Sequence, residues 1–171
     1  DDEAAIAVVG TRNCTAYGLD VASQLGYELA RQGALVLSGM AKGIDGAAMK
    51  GALRAGGFTA AVLGGGVDVV YPAENRRIYE DVVATGVVLS EYPPGTEPIA
   101  SHFPVRNRIL SGLSLAAVVV EAPERSGALI TASTALEQGR EVFAVPGPIN
   151  APNSRGCNAL IRDGAGLVSE A

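Results

Sequence analysis

The sequence predicts an α/β domain with a doubly wound, mostly parallel sheet that carries helices on both of its faces. Short runs rich in Val, Leu, Ile and Ala alternate with segments of helical length, and strict alternation produces parallel strands joined by right-handed crossovers. Hydrophobic residues make up 48% of the chain and aromatic residues only 5%, a mixture that suits strands buried on both faces. Together these observations are typical of an extended Rossmann-like domain.

The individual elements follow from apolar runs that end at Gly or Ser and from the longer segments between them. The predicted strands are 6–9, 35–37, 60–63, 87–89, 117–120 and 142–145, with a short seventh at 166–168. The predicted helices are 17–31, 43–55, 75–83, 106–113, 128–138 and 157–162. No internal repeat, charge run or linker interrupts this order, so residues 1–171 are expected to form a single domain.

Composition excludes several classes of protein. The net charge of −5 argues against a protein that coats nucleic acid through its overall charge. Cys14 and Cys157 are far apart and have no CxxC partner, so neither a metal site nor a disulfide is expected, and a cytoplasmic location fits. No apolar run is long enough for a membrane span, and the acidic first three residues differ from a signal peptide. The missing initiator Met predicts a fragment from which small flanking domains are absent.

Glycine and small hydroxyl residues follow the predicted strands, where parallel sheets bind their ligands. Backbone N–H groups at such a strand end, next to the start of a helix, can hold phosphate. Several loops of this kind on one sheet edge favour a phosphate-bearing ligand, and the alternative is that these glycines only form tight turns. The loops are Gly10-Thr11, Ser38-Gly39, Gly64-Gly65-Gly66 and Ser126-Gly127.

Six of the 13 Lys and Arg residues follow strand ends or enter the same rim. An acidic protein that keeps cations on one edge has a focused anion site. The alternative, strongest for Arg125 and Arg155, is that some form structural ion pairs with Glu91, Glu121 or Asp45. The six residues are Arg12, Lys42, Arg106, Arg108, Arg125 and Arg155.

The segment 103–108 places Arg106, Asn107 and Arg108 at the opening of a predicted helix. Positions 106 and 108 do not share a helix face. We therefore expect one arginine to face the ligand and the other a carboxylate, without a decision between them. Phe103 and Tyr71 could stack on a base or simply pack.

Catalysis is not predicted. His102 is the only His and fits a hydrogen-bonded loop residue better than a general base, and Ser111 and Ser126 have no base beside them. Asp45 is expected to cap a helix or turn, or else to orient Lys42.

No cofactor is expected either. The loop from Gly10 to Thr15 is not GxGxxG and has the bulky Arg12 where a pyrophosphate would approach, which disfavours NAD and FAD. A GxxxxGK[ST] pattern is absent from the sequence, so ATP hydrolysis is not predicted.

Taken together, the motifs resemble the DNA-processing protein A (DprA, also called Smf) family over nearly the whole chain. The resemblance implies a cytoplasmic protein that binds and protects single-stranded DNA and helps to load the RecA recombinase in DNA recombination during natural transformation of competent cells. The matching segments are VVGTR at 8–12, SGMAKGID at 38–45, LGGGVDVVYP at 63–72, SEYPPG at 90–95, FPVRNRI at 103–109, SGALIT at 126–131 and GCNALI at 156–161.

Carried over by motif position, Arg12 would clamp a phosphate. The other residues implied to line its pocket are Gly10, Thr11, Ser38, Gly39, Lys42, Gly64, Gly65, Gly66, Arg106, Asn107, Arg108, Ser126 and Gly127. The resemblance also implies homodimers through the C-terminal helix and strand, around Asn158, Leu160 and Leu167. Two departures stand out: Met49 occupies a position where the family usually has His, and Ala73 one where some members have Lys, with Arg76 and Arg77 as substitutes.

Two alternative functions remain for this sequence. A lysine-decarboxylase-like nucleoside-monophosphate phosphoribohydrolase uses a similar sheet, but LGGGVD at 63–68 lacks the Thr and catalytic Glu of the PGGxGTxxE signature. A purely structural interaction module, with an empty pocket and a partner docked at the C-terminal surface, is compatible with DNA binding.

Overall fold

A computed structural model describes residues 4–170, in which one seven-stranded parallel sheet has the strand order β4-β3-β2-β1-β5-β6-β7. The strands are β1 (Ala5–Val9), β2 (Leu35–Ser38), β3 (Thr59–Val62), β4 (Val87–Leu89), β5 (Ala116–Val119), β6 (Glu141–Ala144) and β7 (Gly166–Leu167). The helices are α1 (Ala16–Arg31), α2 (Ile44–Arg54), α3 (Arg76–Thr85), α4 (His102–Leu113), α5 (Gly127–Glu137) and α6 (Arg155–Arg162). The acidic residues 1–3, on which the signal-peptide argument rests, lie outside the described range.

The predicted fold class is confirmed, and the sheet is entirely rather than mostly parallel in this range. Predicted strand and helix positions agree with the structure to within one or two residues, except at α4. There the prediction of a start at residue 106 is wrong, because the helix begins at His102. Pro104 lies in its first turn, where a backbone N–H has no helical partner to lose. Arg106 and Arg108 therefore lie in the second turn.

Strand order reverses between β1 and β5, so the loops that leave these two strands diverge. β1 and β5 are central and apolar, with Ala7, Val8, Ala117 and Val119 all buried. Ligands of doubly wound sheets bind in the crevice that such a divergence opens. The fold therefore directs attention to the carboxyl ends of β1, β2, β3 and β5.

The sequence departure at Met49 has a packing explanation. Met49 is fully buried and packs with Met40, Ile78 and Val82 beneath α3, as a flexible apolar side chain can. No helix in residues 4–170 is both long and apolar enough to cross a bilayer.

Candidate functional site

The loop that leaves β1 is held from below by the buried carboxylate of Glu121, at the end of β5. Glu121 is 3% exposed and accepts hydrogen bonds from the Thr15 backbone N–H at 2.7 Å and the Thr15 hydroxyl at 2.6 Å. Its backbone carbonyl also accepts from Thr11 N–H at 2.7 Å. Thr15 in turn caps α1 through its side chain. Glu121 is thus a support of the loop rather than a partner for an arginine.

Asn153 gives the same loop a second support from near the C-terminus. Its side-chain amide donates to the Asn13 carbonyl at 2.9 Å and to Glu121 Oε1 at 3.0 Å. The sequence interpretation did not single out Asn153, since no local pattern marks a contact 140 residues away along the chain.

This fixed loop presents Arg12 to solvent. The Arg12 guanidinium lies over the ring of Phe103, with Cζ 4.6 Å from the ring centroid, a cation–π geometry. Arg12 forms no ion pair with any residue in the range 4–170. The side chain is therefore oriented by an aromatic ring but keeps its charge available.

The loop after β2 is organised by Asp45, the second residue of α2. Asp45 Oδ2 accepts from the Gly39 N–H at 3.1 Å and the Ala41 N–H at 3.4 Å. Burial raises the pKa of Asp45, while nearby Arg106 and these hydrogen bonds oppose the rise. Of the two expected roles the structure supports loop capping, because Lys42 instead lies 4.0 Å from Glu74. Ser38 is also engaged internally, since its hydroxyl donates to the Val8 carbonyl at 2.7 Å.

Arg106 is buried in the wall between β2 and β3. It is 4% exposed, and Nη1 donates to the Gly39 carbonyl at 2.8 Å and the Val62 carbonyl at 2.6 Å. Nε donates to Asn107 Oδ1 at 3.0 Å. Burial lowers the pKa of Arg106, and Asp45 opposes that shift. A Cβ on Gly39 would lie 2.6 Å from Arg106 Cζ, so glycine is required there for the close approach.

Arg108 lies on another face of α4 and pairs with Glu91. The expectation that one arginine of 106–108 meets a carboxylate therefore applies to Arg108, whereas Arg106 borders the ligand edge.

The glycines that follow β3 are close-packing positions. A Cβ on Gly64 would lie 2.9 Å from the Phe103 ring, and one on Gly65 would lie 2.8 Å from the Thr96 carbonyl. The Gly64 carbonyl is 2.7 Å from Nδ1 of His102, whose ring stacks on Tyr92. The segment 93–103 thus covers this turn, and His102 is a hydrogen-bonded packing residue.

The strand-end cleft is the cavity of about 260 Å³ between these loops, which we define by Arg12, Gly39, Lys42, Gly64, Tyr71 and Phe103. Tyr71 and Phe103 stack on each other with ring centroids 5.9 Å apart. The cleft combines apolar walls with cations at its rim. Such a lining suits a ligand with both planar apolar groups and negative charge.

A second cavity of about 460 Å³ extends the cleft from Arg12 and Phe103 toward the start of α5. It includes Gly10, Thr11, Asn107, Arg125, Ser126 and Gly127. The Ser126 hydroxyl accepts from Ala128 N–H as the cap of α5. Most of the predicted residues thus line the strand-end cleft or its extension toward α5. Four of them line neither space: Ser38, Gly66, Arg108 and Arg155.

Within residues 4–170, no cluster of three His, Cys, Asp or Glu side chains could hold a metal ion. The predicted dimer residues lie at the far edge of the sheet. Leu167 is 55% exposed on β7, Leu160 packs against the core, and the Asn158 amide bonds both backbone groups of Gly147.

Comparison with known proteins finds relatives that match almost the whole chain. DNA processing protein DprA from Bacillus subtilis is 48% identical over 163 residues, which is 95% of this chain and 55% of that protein. A protein of Mycobacterium tuberculosis described as a putative DprA is 50% identical over 98% of this chain and 43% of its own length. The chain therefore spans about half the length of the curated relatives it matches.

Solved structures agree with the fold. DNA processing protein A from Streptococcus pneumoniae superposes with a TM-score of 0.91 at 45% identity, covering 98% of this chain and 59% of that one. DNA processing protein A from Helicobacter pylori, studied for its single-stranded DNA binding mode, gives 0.90 at 30% identity, covering 98% and 76%. A molybdenum cofactor binding protein from Rippkaea orientalis, at 20% identity and a TM-score of 0.70, shares the fold alone. The family model for DNA recombination-mediator protein A matches residues 1–171, and the chain belongs to that family.

Proposed function

We propose that this domain binds the sugar-phosphate backbone of single-stranded DNA in the strand-end cleft and its extension toward α5, without catalysing a reaction. The observation that carries the proposal is the placement of Arg12. It lies where the two cavities meet, it is exposed, and its guanidinium is oriented by Phe103. An oriented, unpaired arginine is suited to bidentate phosphate contact.

The aromatic wall supports a single-stranded rather than a duplex ligand. Tyr71 is 47% exposed beside Phe103, and only an unpaired strand can offer a base face to such rings. The Helicobacter pylori relative is described as binding single-stranded DNA, and 76% of that chain is covered by this one. We extend that ligand class to the present domain.

Membership of the family supports a wider role for the complete protein. We propose that the complete protein protects incoming single-stranded DNA in the cytoplasm and helps to load RecA during natural transformation, as a homodimer joined through the β7 edge. Leu167→Arg should then shift the protein to monomers in sedimentation velocity while oligonucleotide binding by the monomer stays measurable. Unchanged self-association of that variant would refute the β7 interface.

Fluorescence anisotropy with labelled oligo-dT at two salt concentrations tests the central proposal. We expect affinity to fall steeply with salt, and Arg12→Ala to weaken binding and reduce the slope of log K against log salt by about one. Arg31→Ala is the matched control, because Arg31 ends α1 at the opposite edge of the sheet.

Salt-independent binding, or equal slopes for Arg12→Ala and wild type, would contradict the proposal. Release of free base from AMP by the purified protein would instead support the phosphoribohydrolase alternative.

A further inference from the structure

A third cavity, of about 660 Å³, runs from the strand-end cleft onto the outer face of helices α1 and α2. Leu19 and Ser23 of α1 form one side, and Gly46, Ala47 and Lys50 of α2 form the other. We call it the α1–α2 groove. Arg12 and Lys42 border both the groove and the cleft, so the two spaces are continuous.

The groove is cationic in a protein whose net charge is −5. Arg12, Lys42 and Lys50 line it, and among the described residues Glu74 supplies the one carboxylate in the lining. Lys42 Nζ lies 4.0 Å from Glu74 Oε1, and both side chains are more than half exposed. Such an exposed ion pair is weak and leaves Lys42 able to attract an anion. Lys50 is exposed and forms no ion pair across the described part of the chain.

Arg54 extends this charge by one helical turn beyond Lys50. Residues four apart on a helix lie on the same side. Arg54 Nη2 reaches Ser23 Oγ at 3.5 Å, and its Cζ lies 5.3 Å from the ring centroid of Tyr27. The groove therefore leads from the cleft toward a fourth cation, Arg54.

Arg12, Lys42 and Lys50 are not required for packing of the two helices. Close backbone contact joins α1 and α2, because a Cβ at Gly26 would collide with the Ala48 carbonyl and one at Gly51 with the Ser23 carbonyl. The small residues Gly46 and Ala47 line the groove and leave it open. What the groove offers is a path lined by positive charge.

We infer that the α1–α2 groove carries the backbone of the same DNA strand where it leaves the strand-end cleft on the side away from α5, with Lys50 contacting a phosphate and Arg54 lying farther along the path. The inference rests on the proposed function, since it assumes a strand in the cleft. It predicts that Lys50 contributes only when the strand is long enough to reach it.

The test compares Lys50→Gln with wild type on oligo-dT of about 5 and about 20 nucleotides, lengths that bracket common single-strand site sizes. On the long oligonucleotide we expect the salt slope to fall by about 0.7 and the affinity to fall about fivefold at 0.1 M salt. On the short oligonucleotide the variant should match wild type. Arg162→Gln removes an equal charge at the exposed end of α6, on the β6 side of the sheet rather than the β2 side, and should match wild type at both lengths.

Two results would overturn the inference while leaving the cleft intact. One is wild-type affinity of Lys50→Gln for both lengths while Arg12→Ala loses affinity, and the other is equal weakening by Lys50→Gln of binding to both lengths. Failure of the wild-type protein to bind either oligonucleotide would instead refute the proposed function itself.

Discussion

Arg12 and Arg106 approach the same ring, with their Cζ atoms 4.6 and 5.5 Å from the centroid of Phe103, yet their environments differ in kind. Arg106 is buried and donates to two backbone carbonyls and to Asn107. Arg12 is exposed on a loop that other residues hold in place. Arg106 is therefore part of the wall of the cleft, whereas Arg12 is free to contact a ligand.

The largest effect is expected from Arg106→Leu. This change removes the hydrogen bonds that Arg106 donates to the carbonyls of Gly39 and Val62, and it removes the cation that opposes the rise in the Asp45 pKa. Loss of one member of a buried polar set costs about 3–5 kcal/mol, which urea unfolding can measure. A loss below about 1 kcal/mol would show that Arg106 is no more structural than an exposed arginine.

The same variant should also change how stability depends on pH. Burial already raises the pKa of Asp45, and Arg106 opposes that rise, so its removal raises the pKa further. Protonation of Asp45 contributes to the free energy of unfolding. That contribution is complete below the unfolded-state pKa of about 4 and is lost as pH rises through the pKa in the folded state. The destabilisation by Arg106→Leu should therefore be larger at pH 7 than at pH 5, and the opposite order would contradict this account of Asp45.

Glu121→Gln probes the support beneath Arg12. The Gln amide keeps one oxygen acceptor but replaces the other with an NH2 donor, so one of the two Thr15 donors loses its acceptor. The free energy of unfolding should fall by about 1.5–3 kcal/mol. Oligo-dT affinity should fall with it, because the loop that presents Arg12 loosens. Glu124→Gln, an exposed neighbour, is the control, and equal effects of the two changes would remove Glu121 from the site.

Phe103→Leu tests whether the ring orients Arg12. Loss of a partly exposed cation–π contact costs about 0.5–1 kcal/mol, equivalent to an affinity about two- to fivefold weaker for oligo-dT. Phe58→Leu, at an exposed position before β3, should leave affinity unchanged. Unaltered binding by Phe103→Leu would mean that Arg12 needs no aromatic support.

The smallest effect is expected from Arg108→Ala. Its ion pair with Glu91 is exposed, and such pairs contribute about 0–1 kcal/mol. Oligo-dT affinity should change less than twofold, because Arg108 lines neither the strand-end cleft nor its extension toward α5. A tenfold loss of oligo-dT affinity would return Arg108 to the binding surface.

The sequence alone predicts the fold and the ligand edge because apolar runs that end in glycine are local signals. It did not predict that α4 begins at His102, before Pro104, although the first turn of a helix tolerates proline. Nor could it separate Arg106 from Arg108, because burial depends on β2 and β3, more than 40 residues earlier. Glu121 and Asn153 act over 106 and 140 residues of sequence separation, for which no spacing rule exists.

Two measurements on the same Arg12→Ala protein decide whether Arg12 binds the ligand: oligo-dT affinity by anisotropy and the free energy of unfolding by urea titration. We expect an affinity about tenfold weaker, near 1.4 kcal/mol, with the free energy of unfolding within about 0.5 kcal/mol of wild type. Wild-type affinity, or an affinity loss matched by an equal loss of stability, would contradict the assignment of Arg12 as the ligand-binding arginine.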